Sequence, residues 1–131
     1  MKKILLLGLL LLPFSVLAAQ VGCGETSASQ QVDVCAKLAK DSADADLNSS
    51  YKKLLDRVKT QYQADRNIGD SFIAKLKESQ RAWLKLRDAN CALEAFEIEV
   101  GQPAYVTTVN NCIAKMSLER TSYLDKTLPD L

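Results

Sequence analysis

The sequence contains no histidine. That single absence removes the usual general base, the Ser–His and Cys–His nucleophile pairs, and the commonest nitrogen ligand of zinc. Four cysteines are present, but none form a CxxC pair and their gaps are long and unequal, which argues against a zinc site. The five glycines are scattered and build no phosphate cradle. Neither charge sign dominates: 17 Lys and Arg stand against 16 Asp and Glu. Nucleic-acid binding would call for a strongly basic chain or face, so none is expected. Glu94 and Glu97 are an i,i+3 pair, not two carboxyls held across a glycosidase cleft. Asp41, Asp44 and Asp46 lack the glycine and closing glutamate of an EF-hand loop and read as a solvated helix start. No catalytic group, cofactor or metal ligand set is expected, and the chain reads as a non-enzyme.

What is present begins with "MKKILLLGLLLLPFSVLAAQ". Lys2 and Lys3 precede an apolar run that ends in small residues, the pattern of a secretory signal peptide over residues 1–19. Cleavage after Ala18 and after Ala19 both fit. The run is too short and wrongly flanked for a spanning helix, so no transmembrane segment is expected after cleavage. A lipoprotein anchored through Cys23 is disfavoured, because "QVGC" places Gln20 where a lipobox wants Leu. Residues 20–131 then form one domain with a modest core, in the periplasm or outside the cell. Without Lys2 and Lys3 the 17 basic residues become 15 against 16 acids.

Three helices are expected. From Asp33, a plausible N-cap, to Tyr62 there is no Gly or Pro, and Leu47, Tyr51, Leu54, Leu55, Val58 and Tyr62 recur at helical spacing. "QADRNIGD" (63–70) breaks that pattern with Asn67 and Gly69. A second helix starts after Asp70 or Ser71 and runs to Ile98, with Ile73, Leu76, Gln80, Trp83, Leu84, Arg87 and Cys91 on one stripe. Gly101 and Pro103 stop it. A third follows Thr107 or Thr108, carries Val109, Cys112, Ile113, Met116, Tyr123 and Leu124 on one side, and ends at Pro129. The expected fold is all-α: a small antiparallel three-helix bundle stapled by two disulfides.

The cysteines fit that topology. Folded about the midpoint between Gly101 and Gln102, Cys91 and Cys112 lie equally far from the turn and face each other. Folded about residues 66–67, Cys35 falls opposite residue 98, a mismatch with Cys91 of about 10 Å of helix rise. The expected bridges are therefore Cys91–Cys112 and, by elimination, Cys23–Cys35, each stabilising by roughly 3 kcal/mol.

Gln80 and Arg87 share the Trp83 side of the second helix, where an amphipathic helix would place Leu or Ile. The guanidinium of Arg87 can stack on the indole four residues earlier, and a partly buried Arg needs a partner. Asp46 or Asn48 on the first helix is expected to supply it, with Gln80 on backbone or hydroxyl groups. Such a clasp fixes helix register. Lys77, Arg81 and Lys85 form an i,i+4,i+8 basic stripe, read as a solvated face.

Two stretches carry a family resemblance. "DADLNSSY" (44–51) supplies Asp46, Leu47, Asn48 and Tyr51; "QRAWLKLRDANC" (80–91) supplies Gln80, Trp83, Arg87, Asp88 and Cys91. With a cysteine pair before the first and Cys112 opening a third helix, the chain resembles the lysozyme inhibitor LprI-like family of small exported bacterial proteins. The resemblance implies a small disulfide-linked helical domain and binding, with inhibition, of lysozyme or another wall hydrolase. The alternative is a non-catalytic envelope interaction, immunity or assembly module with an unrelated partner. The motif residues read as fold-defining and do not locate a binding surface. For that, the expected surface is the acidic end: Asp41, Asp44, Asp46 and Asp88 with Glu94, Glu97 and Glu99, and Tyr105 as an exposed anchor in a connection without basic residues. Many lysozymes are basic, and an acidic end would steer toward one.

Overall fold

The computed structural model describes Cys23 and residues 29–129, apart from the side chains of Ser29 and Gln30. The expected signal peptide and its cleavage site lie outside these residues. Helix α1 spans Ser29–Gln61, α2 spans Arg66–Glu94 and α3 spans Pro103–Lys126. Among the described residues there is no strand, and no helix is long and apolar enough to cross a membrane. The all-α three-helix expectation holds, and so do both bridges, Cys23–Cys35 and Cys91–Cys112.

The helix ends differ from the sequence reading. Asp33 lies within α1, where its carboxylate accepts a hydrogen bond from Thr107 Oγ1 of α3. Helix α2 starts at Arg66 because Asp65 caps it, accepting from the Ile68 backbone N–H at 3.3 Å. Gly69, read as a turn residue, is buried inside that helix; a Cβ there would lie 3.1 Å from Tyr62 Cβ, so glycine serves close approach to the end of α1. Helix α2 stops at Glu94, not Ile98. Pro103, read as a helix stop, is a helix start: it occupies the first turn of α3, where a missing N–H costs nothing. Gly101, at φ +94°, makes the turn before it.

Chain direction alternates, so α1 and α3 run parallel, and these two make the most extensive approach of the three pairs. The reason lies in small side chains. Ala36, Ala43 and Ser50 recur every seven residues on α1 and are buried, as are Ala114 and Ser117 on α3. Leu47, Leu54, Val58, Leu76 and Leu124 fill the main core, with Tyr51, Tyr62, Phe72, Ile73 and Trp83 packed around it. A second cluster surrounds the Cys91–Cys112 bridge with Ile113, Val109 and Met116. Tyr123, placed on the apolar side by its spacing, is exposed. Arg57 ties down the end of α3 by donating to the carbonyls of Leu124 (2.9 Å), Thr127 (3.1 Å) and Leu128 (3.0 Å). These carbonyls belong to the last turn of α3, its C-cap and the residue after it, so this arginine is a cap rather than a free surface charge.

Candidate functional site

The Trp83 face of α2 is a layered polar contact. Arg87 packs 5.4 Å from the indole centroid and Arg120 of α3 packs 5.7 Å from it. Arg120 also lies 4.7 Å from the Tyr123 ring. Among the described residues the Gln80 side chain bonds not to backbone or hydroxyl groups but to an arginine: its Oε1 accepts from Arg120 Nε at 3.0 Å, and Ser79 Oγ accepts from the same guanidinium at 2.8 Å. Burial pushes the Arg120 guanidinium below its ordinary pKa, partly offset by Tyr123.

Arg87 does find an acid on α1, but it is Asp44, at 3.3 Å, and not Asp46 or Asn48. The last two are exposed. Two residues along a helix is about 200° of rotation, so Asp46 faces water when Asp44 faces α2. Asp88, beside Arg87, accepts from it at 2.9 Å while remaining largely exposed. Leu47, Asn48, Tyr51 and Gln80 line an open groove of ≈ 360 Å³ between α1 and α2, with Lys77, Arg81 and Leu84.

At the end where α1 begins and α2 finishes, the acids divide into two groups. Asp41 pairs with Lys37 and, at 3.7 Å, with Lys40; its pKa is lowered chiefly by the Lys37 hydrogen bond. Asp44 and Asp88 pair with Arg87, and Asp33 holds Thr107. Asp46, Glu94, Glu97 and Glu99 are exposed, and their carboxylates form no ion pair or hydrogen bond among the described residues. Only Glu94 belongs to α2; Glu97 and Glu99 lie in the connection. Tyr105 is half-buried at the start of α3 and is not the exposed anchor expected. Exposed apolar groups at this end include Val32, Val34 and Leu38 on α1, and the most exposed are Leu93, Phe96 and Val100 around the last turn of α2. Their signal was available: from Ala95 to Val100 apolar residues and acids largely alternate, a pattern that suits no helix face. Among the described residues no cluster of three potential metal-binding side chains occurs.

A family model described as lysozyme inhibitor LprI matches residues 23–124. The chain belongs to the LprI family. An uncharacterised protein from Rhizobium meliloti (strain 1021) is 30% identical over 108 residues, 78% of this chain and 75% of that protein. A crystal structure of a DUF1311 family protein from Pseudomonas putida KT2440 superposes with a TM-score of 0.67 at 32% identity, covering 76% of this chain and 91% of that one. The family description is that of an inhibitor. Together with two disulfides, LprI membership points to an exported protein.

Proposed function

We propose that the protein is exported by a signal peptide over residues 1–19 and that its domain, from residue 20, binds and inhibits lysozyme-type cell-wall hydrolases in the periplasm or outside the cell. Three carboxylates without a partner among the described residues carry this reading. Glu94, Glu97 and Glu99 cluster at one end, and no Lys or Arg occurs between Asp88 and Ala114. Their carboxylates contact no cation among the described residues, and Glu94 stands at a helix C-terminus, where the macrodipole disfavours it. A basic partner would make use of it. The family description supplies the partner class. A Cys23 sulfur held by Cys35 carries no thioether lipid in the same molecule, which favours a freely diffusing inhibitor.

The test is hydrolysis of cell-wall substrate by a basic lysozyme with and without the purified, oxidised protein. Inhibition is expected. The Glu94→Gln, Glu97→Gln, Glu99→Gln variant should associate more slowly, on the order of tenfold at low salt, with the difference shrinking at moderate salt. Equal association at both salt levels would remove the acidic end from the interface.

A further inference from the structure

Charge alone does not account for the end of the molecule that carries it. Leu93, Phe96 and Val100 are 71%, 81% and 77% exposed and stand among Glu94, Glu97 and Glu99, whose carboxylates have no partner among the described residues. A segment that only joined α2 to α3 would have no use for a phenylalanine in water. Nor is the segment loose. Ala95 is fully buried beneath it and Ile98 is half-buried. Turns close it through Phe96 N–H to Leu93 O (3.1 Å), Ile98 N–H to Ala95 O (3.0 Å) and Gln102 N–H to Glu99 O (3.1 Å). The buried Cys91–Cys112 bridge clamps its base. The apolar side chains are thus held outward before any partner arrives, which lowers the entropy lost on binding.

We infer that this connection is a docking prong: Phe96, flanked by Leu93 and Val100, enters an apolar cleft of a cationic protein while Glu94, Glu97 and Glu99 meet the basic rim of that cleft. The inference rests on the proposed inhibitor function and names the contact that would deliver it. The same three carboxylates select against other occupants. They are repelled by an anionic bilayer and costly to bury in any bilayer. Across a two-fold contact with a second copy they would face one another. An aromatic anchor with a charged surround is also the usual anatomy of a protein interface. Work divides accordingly: the acids govern encounter and the apolar prong governs residence.

Association and dissociation rates with a basic lysozyme, measured by surface-immobilised binding, test this division. Phe96→Ala should raise the dissociation rate on the order of tenfold while leaving the association rate and the melting temperature unchanged. Phe96→Tyr should retain slow dissociation, and Leu93→Ser with Val100→Ser should act in the direction of Phe96→Ala. If wild type binds and both the alanine and serine variants dissociate as slowly, the prong is wrong and the inhibitor function stands. If wild type does not bind, the inhibitor function fails and the prong with it. Binding of wild type to phosphatidylcholine vesicles, or a dimer in sedimentation, that disappears in Phe96→Ala would overturn the prong in favour of a lipid or a second copy.

Discussion

Asp44 Oδ1 accepts from Arg87 of α2 at 3.3 Å and from the fully buried Ser117 hydroxyl of α3 at 2.9 Å. One carboxylate of α1 therefore touches both other helices. Removing either partner leaves a desolvated group behind, which costs more than the contact itself is worth. Arg87→Ala, which also uncovers Trp83, should lower unfolding free energy by about 2–4 kcal/mol in a denaturant titration. A value near that of an ordinary surface substitution would show the guanidinium to be dispensable. Asp41 is a contrasting case. Lys37 lowers its pKa, so its contribution is present above the unfolded pKa and fades as pH falls through the folded value. Being at the surface, that pair is a minor one. The unusual polarity of Gln80, Trp83 and Arg87 was legible in the sequence. Their partners were not, because the choice between Asp44 and Asp46 depends on a helix rotation that only packing fixes.

At the scale of the element, the seam between α1 and α3 depends on size rather than hydrophobicity. Ala43 is only 1% exposed, and a larger side chain there would force the two backbones apart. Ala43→Leu should destabilise by about 1–3 kcal/mol despite being more apolar and a good helix former, as thermal unfolding would register. A stabilised variant would mean that the seam has room. The two bridges should also separate. Cys23 is exposed, whereas Cys91 and Cys112 are buried, and exchange requires access. Under mild thiol, peptide mapping should find Cys23–Cys35 opened first and Cys91–Cys112 opened only on unfolding; the reverse order would contradict the burial. The Ala and Ser stripe is not legible from the periodicity of large apolar residues, because small side chains carry little hydrophobic signal. Pro103 and Gly69 were misread for a related reason. Each has one meaning at a helix end and another inside a first turn or at a tight crossing, and only the neighbouring element decides between them.

Across the whole molecule, fold class and bridge pairing were legible because both follow from chain geometry. Three Gly- and Pro-poor segments must double back, and only one cysteine pairing suits the turns. The acidic end was legible for the same reason, as a sum over positions. Which acids are spent internally, and the outward aim of Phe96, depend on the last turn of α2, where helix and connection compete over a few residues. The parallel pairing of α1 with α3 has a kinetic consequence. Its contacts join residues 67 to 74 apart in sequence, whereas most small helical bundles condense through near neighbours. Loop-closure entropy must be met before those contacts form. Helices α1 and α3 can find register only after α2 has reversed the chain twice. The transition state should therefore be organised around that long closure, and folding should be slow for an all-helical chain of this size.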